Sequence, residues 1–341
     1  MLALAAAQLG YRTHIYTPVT LSVAADVAAR HTQAAWDDEP RLAAFAADCD
    51  IVTFEFENVP VDTVRFLSGH VAVHPSAGAL DVAQDRLAEK RFIAELGGRT
   101  APYAAAPDRA ALTMALTAIG TPAILKTVRM GYDGKGQARV TSPADADADA
   151  AWDAIGGHHA VLEGLVAFAA EFSVILVRGI DGELRFWDSP HNIHADGILS
   201  SSALPPPRIV TAQQDAARSI AAAIANALDY IGVLTCEFFA SEDGPMLNEI
   251  APRVHNSGHW TIEGAVTSQF ENHIRAIAGL PLGDTATRAL PVTMRNLIGA
   301  DIGAIPVLLA DGAAHVHHYG KADVRAGRKL GHVTWVGCTP Q

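Results

Sequence analysis

The stretch from Gly131 to Gln137 constrains the fold more than any other part of the sequence. It holds three glycines within six residues and lies between two strand-like segments, 124–126 and 138–140. Glycine allows backbone N–H groups to close around an anion, but the pattern matches neither GxxxxGK[ST] nor GxGxxG before a helix. We therefore predict a strand–loop–strand flap that covers a triphosphate and excludes water. The alternative is a glycine-rich surface hairpin.

A lysine ends the apolar strand that precedes this flap. Lys126 follows Ile124 and Leu125, five residues before Gly131. A buried ammonium group is costly without an anionic partner. Phosphate is the partner we expect, because lysine acts there as a point charge. The alternative is a lysine at a strand end whose ammonium group reaches solvent.

A predicted hairpin, formed by residues 233–240 and 245–251, places two carboxylates opposite each other. If its turn is centred on Asp243, Glu237 and Glu249 each lie six residues from the centre. Opposed side chains are about 4.5–5.5 Å apart, so the pair must bind a proton or a cation. We predict Mg²⁺, with Mn²⁺ also possible, bridged to substrate phosphates. The alternatives are a slipped register or an exposed pair.

The segment after the hairpin, residues 252–260, is dense in polar side chains. We predict that Arg253 clamps a transferring phosphoryl group. Asn256 and Ser257 are candidates for substrate binding, although Ser257 could instead N-cap the next helix. Zinc at the two histidines of this segment is disfavoured, because no third ligand has a suitable spacing.

Two other segments are rich in polar or basic residues. Residues 191–197 carry two histidines, an asparagine and an aspartate, and we predict a polar loop there. Residues 321–329 carry four basic side chains in an acidic protein. The second segment predicts a pocket for a sugar phosphate, with a solvated basic loop as the alternative.

Elsewhere the pattern predicts alternating strands and helices. Strands at 13–16 and 49–54 with a helix at 59–67 indicate a parallel α/β layer. The other predicted helices are 84–96, 212–230 and 261–278, and the other strands are 122–127, 160–163, 171–177, 183–187, 291–297, 314–319 and 332–336. The chain starts within a helix, whereas a doubly wound domain starts with a strand and a glycine-rich turn. We therefore expect its first strand to be missing; a fold that begins with a helix is the alternative.

Length and composition exclude several classes of protein. A chain of 341 residues, half of them apolar, suits two or three domains. A net charge of −12 argues against nucleic-acid binding. Cys49, Cys236 and Cys338 are few, odd in number and widely spaced, which fits a reducing cytoplasm better than a disulfide framework. No apolar run reaches the ~20 residues that a membrane span needs.

Four segments read together resemble the 5-(carboxyamino)imidazole ribonucleotide synthases of purine biosynthesis. They are GYDGKGQ at 131–137, HNIHADGI at 191–198, NEIAPRVHNSGHW at 248–260 and GRKLGH at 327–332. The resemblance extends from Met1 to about Val336. It implies an ATP-grasp fold in three parts, an α/β and α+β multidomain chain: a pre-ATP-grasp α/β domain (1–82), an ATP-grasp nucleotide-binding domain (83–280) and a small β-rich C-terminal domain (281–341).

The resemblance also implies a reaction. An ATP-dependent ligase would join bicarbonate to 5-aminoimidazole ribonucleotide, with carboxyphosphate as the activated species, which carboxylates the amine directly or after releasing CO₂. The substrates would be small molecules only, with Mg²⁺ as metal ion, and the protein would be a cytoplasmic homodimer. Two alternatives stay open: another ATP-grasp carboxylate–amine ligase, such as the formate-using relative, and a truncated, inactive nucleotide-binding protein.

Individual roles follow from the same resemblance. The residues implied to contact ATP are Arg86, Lys126, Glu163, Gly164, Leu165, Val166, Glu171, His194, Asn248 and Glu249, with the flap residues Gly131, Tyr132, Asp133, Gly134, Lys135, Gly136 and Gln137 above the phosphates. The implied metal ligands are Glu237 and Glu249, and the implied catalytic residues are Arg253, Tyr132 and Asp133. The implied ribonucleotide site comprises Glu55, His255, Asn256, Ser257, Lys321, Arg328 and Lys329.

This chain departs from the family pattern at both ends. Members begin with a strand and a GGGQLGRM-like turn that helps to bind the ribonucleotide, and Met1 aligns with the methionine that closes the turn. Members also end with a helix that this sequence lacks. We therefore expect an incomplete first domain with an unpaired sheet edge.

Overall fold

A computed structural model describes residues 1–20, 22–131, 136–142 and 144–339, with the side chains of residues 145 and 146 left aside. Four of the predicted flap residues, Tyr132, Asp133, Gly134 and Lys135, lie outside the described residues.

The first part of the chain is an α/β layer. Its elements are α1 (Leu2–Gln8), β1 (His14–Thr17), a 3₁₀ turn (Ala25–Val27), β2 (Arg30–Gln33), α2 (Glu39–Ala47), β3 (Ile51–Val52), α3 (Val61–Ser68), β4 (Ala72–Val73) and α4 (Ala77–Ala83). β1 pairs in parallel with β2, and β3 with β4, as two separate two-stranded sheets. The predicted parallel layer is confirmed, but the strand predicted at 49–54 is only two residues long.

A four-stranded antiparallel sheet with three helices follows. Its elements are α5 (Arg86–Glu95), β5 (Tyr103–Ala106), α6 (Arg109–Ile119), β6 (Ala123–Thr127), β7 (Gln137–Val140), α7 (Asp145–Ala154) and β8 (Ala160–Gly164), and the strand order is β5-β8-β6-β7. β6 and β7 are antiparallel, with Lys126 opposite Gln137, so strands flank the glycine segment as predicted. The helix predicted at 84–96 is shorter, because Asp85 accepts hydrogen bonds from two backbone N–H groups and caps α5.

The rest of the chain forms a nine-stranded sheet. Its elements are β9 (Ala170–Arg178), β10 (Leu184–Phe186), β11 (His191–Ala195), β12 (Ile198–Leu204), α8 (Arg208–Ala227), β13 (Gly232–Ser241), β14 (Gly244–Ala251), a 3₁₀ turn (Asn256–Gly258), α9 (Thr261–Gly264), α10 (Gln269–Ile277), β15 (Val292–Ile298), a 3₁₀ turn (Gly299–Ala304), α11 (Ile305–Ala310), β16 (His315–His318) and β17 (Lys329–Val336). The strand order is β14-β13-β9-β11-β12-β15-β17-β16, with β10 beside β9. Because β12 pairs with β15, the sheet crosses the domain boundary predicted at 280/281, and that boundary stays a prediction.

Two sequence-based predictions in this region are wrong. Residues 191–195 form the strand β11 rather than a loop, because their backbone pairs with both β9 and β12. The helix predicted at 261–278 is two helices, α9 and α10. The second begins afresh where the Ser268 hydroxyl caps the N–H of Glu271.

The central strand β9 is buried on both faces, and this arrangement positions the site. Val174 and Leu176 pack in the cluster beneath α8, whereas Ile175 and Val177 pack on the opposite face with α10. Glu171, Ser173 and Ile175 share one face, since strand side chains alternate. The face that is apolar under α10 therefore becomes polar at the other end of the same strand. Among the described helices, none has the length and apolar composition needed to cross a membrane.

Candidate active site

Glu237 on β13 and Glu249 on β14 are paired across the hairpin, as predicted, although the route to that register differs. The turn is tighter than expected, since Ser241 pairs with Gly244. A regular ladder from that turn would place Glu237 opposite Asn248. A β-bulge shifts the register between Glu237 and Phe238 and leaves Asn248 as the extra residue, which brings Glu249 opposite Glu237.

The two carboxylates have different surroundings. Glu237 is 7% exposed, and burial together with the charge of Glu249 raises its pKa. Its Oε1 lies 3.3 Å from Nε2 of His255. Burial and the charge of Arg253 hold the pKa of that histidine well below its usual range, so it is neutral at pH 7. The side chain of Glu249 is 41% exposed and lies 3.6 Å from the guanidinium group of Arg86.

This donor set fits a hard divalent cation shared with another ligand. Within the described part of the chain, no three His, Cys, Asp or Glu side chains are placed to hold a metal by themselves. Two carboxylates alone leave most of an octahedral shell open, which is how Mg²⁺ binds when phosphates and water complete its coordination. The residues present therefore fit Mg²⁺ bound together with a nucleotide.

A buried cluster with two ammonium groups and one carboxylate lies beside the flap strands. Nζ of Lys126 lies 2.8 Å from one oxygen of Glu163, and Nζ of Lys90 lies 3.0 Å from the other. Lys90 is 1% exposed and also sits 5.6 Å above the ring of Tyr103. Two cations against one anion leave a buried positive charge, which favours phosphate. Sequence reasoning expected phosphate as the direct partner of Lys126 and missed Glu163 as its ion-pair partner.

The helix α5 joins this cluster to the carboxylate pair. Glu89 accepts a 2.6 Å hydrogen bond from the backbone N–H of Ile250, the residue after Glu249. Burial raises the pKa of Glu89 to about 8, so the group is mostly protonated at pH 7. Arg86, Glu89 and Lys90 thus contact both halves of the site. Only the spacing of Arg86 and Lys90, four residues apart on one helix face, signals the role of Lys90 in the sequence.

Strands β9 and β11 contribute further polar side chains to the site. Nδ1 of His194 lies 2.6 Å from Oε2 of Glu171. Burial lowers the pKa of His194, but its contact with Glu171 and the nearby Glu237 outweigh that effect and raise the pKa overall. The Ser173 hydroxyl accepts hydrogen bonds from Asn192 (2.7 Å) and from Ser257 (2.8 Å).

The polar segment 252–260 packs against these side chains of β9 and β11. Nε and a terminal nitrogen of Arg253 contact one oxygen of Glu57 at 2.9 and 2.6 Å. Ser257 is buried against Ser173, and His255 caps the turn, so the alternative that Ser257 caps the next helix is wrong. Sequence reasoning selected Glu55 and missed Glu57. The Glu55 carboxylate is half-exposed and lies 3.9 Å from the amino group of Met1.

The basic segment 321–329 approaches the same group of side chains. Nζ of Lys321 donates to the backbone carbonyl of Lys329 at 3.0 Å. Lys329 lies near enough to Glu237 and His255 for its charge to lower both of their pKa values. Arg328 pairs with Asp323 at 2.8 Å in the loop.

The remaining predicted nucleotide contacts lie at the edges of the site. Gly164 ends β8, Leu165 is 44% exposed and Val166 half-buried beyond it, Gly131 and Gly136 flank the flap, and Gln137 begins β7.

Antiparallel strands on either side of the glycine segment, buried lysines beside those strands and opposed carboxylates on a second sheet are typical of the ATP-grasp class of ligases. The chain matches the ATP-grasp domain over residues 91–270, the ribonucleotide synthetase preATP-grasp domain over 1–84 and the phosphoribosylaminoimidazole carboxylase C-terminal domain over 292–341.

Comparison with similar proteins identifies the family to which the chain belongs. N5-carboxyaminoimidazole ribonucleotide synthase of Brucella melitensis is 49% identical over 335 residues, which are 98% of this chain and 92% of that one. The chain therefore belongs to the N5-carboxyaminoimidazole ribonucleotide synthase family. The corresponding synthetase of Thermus thermophilus superposes with a TM-score of 0.90 at 45% identity, covering 98% and 90% of the two chains. An Aspergillus clavatus synthase, solved with ADP and 5-aminoimidazole ribonucleotide, gives 0.90 at 28% identity with the same coverage.

Proposed function

We propose that this chain carboxylates 5-aminoimidazole ribonucleotide with bicarbonate at the expense of ATP. The products are 5-(carboxyamino)imidazole ribonucleotide, ADP and phosphate, in purine biosynthesis. The observation that carries the proposal is the Glu237–Glu249 pair, joined through α5 to a buried cluster with excess positive charge. The names of the relatives and the Aspergillus complex support this choice of substrates.

ATP is the substrate of the first half-reaction. The positive charge left by Lys126 and Lys90 against Glu163 would bind its phosphates. The flap would close over them and exclude water. The other groups that we assign to ATP are Arg86, Gly164, Leu165, Val166, Glu171, His194, Asn248, Glu249 and the flap residues Gly131 to Gln137.

Glu237 and Glu249 are the residues that would hold Mg²⁺, and Mn²⁺ has the same ligand preference. When bound, the ion would supply neutralisation of charge on the transferring phosphoryl group. His255 belongs to the polar segment 252–260. It is neutral, lies 3.3 Å from Glu237 and orients that carboxylate.

Phosphoryl transfer to bicarbonate would give carboxyphosphate. The exocyclic amine then attacks the carboxyl carbon: a nitrogen–carbon bond forms, the carbon–oxygen bond to phosphate breaks and the amine loses a proton. Loss of CO₂ from carboxyphosphate within the closed site, followed by attack on CO₂, gives the same product. Arg253, oriented by Glu57, would stabilise the negative charge of carboxyphosphate. Tyr132 and Asp133 are assigned to the reacting centre.

The ribonucleotide would lie between the polar segment and the basic segment. His255, Asn256 and Ser257 line one side, and Glu55 lies at the edge contributed by the first domain. The residues that we assign to its phosphate are Lys321, Arg328 and Lys329, because a compact cluster of cations suits a phosphomonoester.

The test is ADP release by the purified chain with each substrate omitted in turn. We expect release to require both bicarbonate and 5-aminoimidazole ribonucleotide, with no release when formate replaces bicarbonate. Release with formate and another amine would indicate a different ATP-grasp ligase. Binding of Mg-ATP without turnover under any of these conditions would indicate a nucleotide-binding protein instead.

Three further assignments complete the proposal: the oligomeric state, the cellular compartment and the domain limits. A homodimer is expected for the family, and sedimentation at working concentration tests it. The three free cysteines suit a cytoplasmic enzyme. The domain limits 1–82, 83–280 and 281–341 can be tested by limited proteolysis.

A further inference from the structure

A tyrosine hydroxyl outside the proposed ligand set lies between two histidines at the substrate side of the site. The Tyr319 hydroxyl is 2.8 Å from Nδ1 of His332 on β17 and 3.1 Å from Nδ1 of His259 in the polar segment. His259 Nδ1 is in turn 3.1 Å from Nδ2 of Asn256. These contacts link Asn256, assigned above to the ribonucleotide, to the base of the basic segment.

The direction of every hydrogen bond in this chain of contacts can be deduced. Asn296 donates from Nδ2 to the backbone carbonyl of Leu199 at 2.8 Å, and a carbonyl can only accept. This fixes the Asn296 amide, so its Oδ1 accepts from Nδ2 of Asn256 at 3.0 Å, and its Nδ2 donates to Oδ1 of Asn256 at 2.5 Å. The orientation of the Asn256 amide is therefore fixed as well.

The tautomers of the two histidines follow. Nδ1 of His259 faces an N–H of Asn256, so it must carry a lone pair and accept. The Tyr319 hydroxyl then donates to the same Nδ1, whose single lone pair is shared between the two donors, because the opposite direction would set two lone pairs against each other. His332 consequently donates from Nδ1 to the Tyr319 oxygen. Its Nε2 then carries the lone pair, and this atom is buried without a hydrogen-bond partner among the described residues.

This arrangement leaves the Asn256 side chain with one unused hydrogen-bonding position. Both of its amide hydrogens are engaged, one by Asn296 and one by His259, and one of its two carbonyl lone pairs is used. Asn256 is half-buried, so part of it is open to a ligand. What remains is one acceptor lone pair on Oδ1.

We propose that Tyr319 and His259 are positioning residues that, together with Asn296, hold Asn256 as an obligate hydrogen-bond acceptor, which recognises a hydroxyl or amine donor of the ribonucleotide. The inference rests on the proposed function. The ring of Tyr319 also lies 5.5 Å below the ammonium group of Lys321, so the same residue supports the side assigned to the substrate phosphate. Hydroxyl and ring therefore serve different ends of the ligand.

The test is Tyr319→Phe, which removes the hydroxyl and keeps the ring. We expect the KM and the calorimetric Kd for 5-aminoimidazole ribonucleotide to rise about three- to tenfold, the effect of losing one neutral hydrogen bond. The KM values for ATP and bicarbonate should not change. Tyr16→Phe is the matched control, because it removes a hydroxyl bond to Ala35 in the first domain.

A double-mutant cycle distinguishes an effect through Asn256 from a general destabilisation of the site. In an Asn256→Ala background, Tyr319→Phe should have less than about a twofold effect on ribonucleotide affinity, since the hydroxyl acts only through Asn256. In a Lys321→Ala background it should keep its full effect. Unchanged affinity in the single variant, an equal effect in the Asn256→Ala background, or a parallel rise in the KM for ATP would each overturn the inference. Wild-type protein that neither binds nor turns over the ribonucleotide would refute the proposed function instead.

Discussion

The buried carboxylate shared by two lysines allows a quantitative prediction. Glu163→Gln should destabilise the lobe formed by β5–β8, α6 and α7 by about 3 kcal/mol at pH 7. Glu163 is 4% exposed, with one oxygen 2.8 Å from Lys126 and the other 3.0 Å from Lys90. Glutamine keeps the shape but leaves two buried ammonium groups without a counter-charge. Removing one partner of a buried ion pair costs about 3–5 kcal/mol.

The pKa of Glu163 gives an independent estimate. Burial alone would raise it, but the charges of Lys126 and Lys90 outweigh burial and lower the pKa from 4.5 to about 2. That fall corresponds to about 3 kcal/mol of stabilisation at neutral pH. Because the folded pKa is the lower one, the stabilisation is complete above about pH 4.5 and is lost as pH falls through about 2. At pH 3 about 1 kcal/mol remains.

The assay is urea unfolding at pH 7 and pH 3, followed by the fluorescence of Trp152 in α7, with Trp152→Phe protein as the baseline. The control is Asp149→Asn, which breaks a surface ion pair with Arg109 in the same lobe and should cost at most about 0.5 kcal/mol. Adding Lys90→Met to Glu163→Gln should recover part of the loss, since it removes one uncompensated charge.

Two results would refute this reasoning. A loss below about 1 kcal/mol at pH 7 would mean that the ammonium groups do not depend on Glu163. An equal loss at pH 7 and pH 3 would mean that Glu163 does not titrate with a depressed pKa.

Three further substitutions test other parts of the site. Glu249→Ala should abolish turnover even at saturating Mg²⁺, because it removes half of the carboxylate pair; normal ADP release across a Mg²⁺ titration would exclude Glu249 as a ligand. His273→Ala should cost about 2–4 kcal/mol in denaturant unfolding, because the buried ring bonds Thr53 of the first domain at 2.8 Å; a loss below 1 kcal/mol would contradict it. Gly136→Ala should raise the KM for ATP, since φ is +67° and a Cβ would lie 2.6 Å from the Thr127 hydroxyl; an unchanged KM would argue against a role for this flap conformation.

Local pattern was sufficient to predict the strands around the flap and the hairpin, because alternation and turn residues act over a few positions. It was insufficient for the hairpin register. The prediction centred the turn on Asp243, half a residue from its true centre, and the unforeseen bulge at Asn248 compensated. A bulge depends on packing against neighbouring strands, which a single sequence does not display.

The residues that sequence reasoning missed are those whose partners are distant in the chain. Glu57 contacts Arg253 across 196 residues, and Asn296 contacts Asn256 across 40. Lys90 and Tyr319 have no motif of their own, and only the folded chain brings them to the site. The resemblance implied residues that would touch ligands, whereas Glu57, Asn296 and Tyr319 contact other side chains of the site.

Helix α5 explains why the two halves of the site should respond together. Over little more than one turn it carries Arg86, which pairs with Glu249, Glu89, which accepts from the N–H of Ile250, and Lys90, which pairs with Glu163. Phosphates bound by the lysines would therefore lie at a distance from the carboxylate pair that the helix sets. A cation bound to the carboxylates would offset their negative charge, and an anion bound to the lysines would offset their positive charge. Loss of Lys90 should consequently weaken binding of the magnesium–nucleotide complex more than binding of the ribonucleotide, whose proposed site lies at neither end of α5.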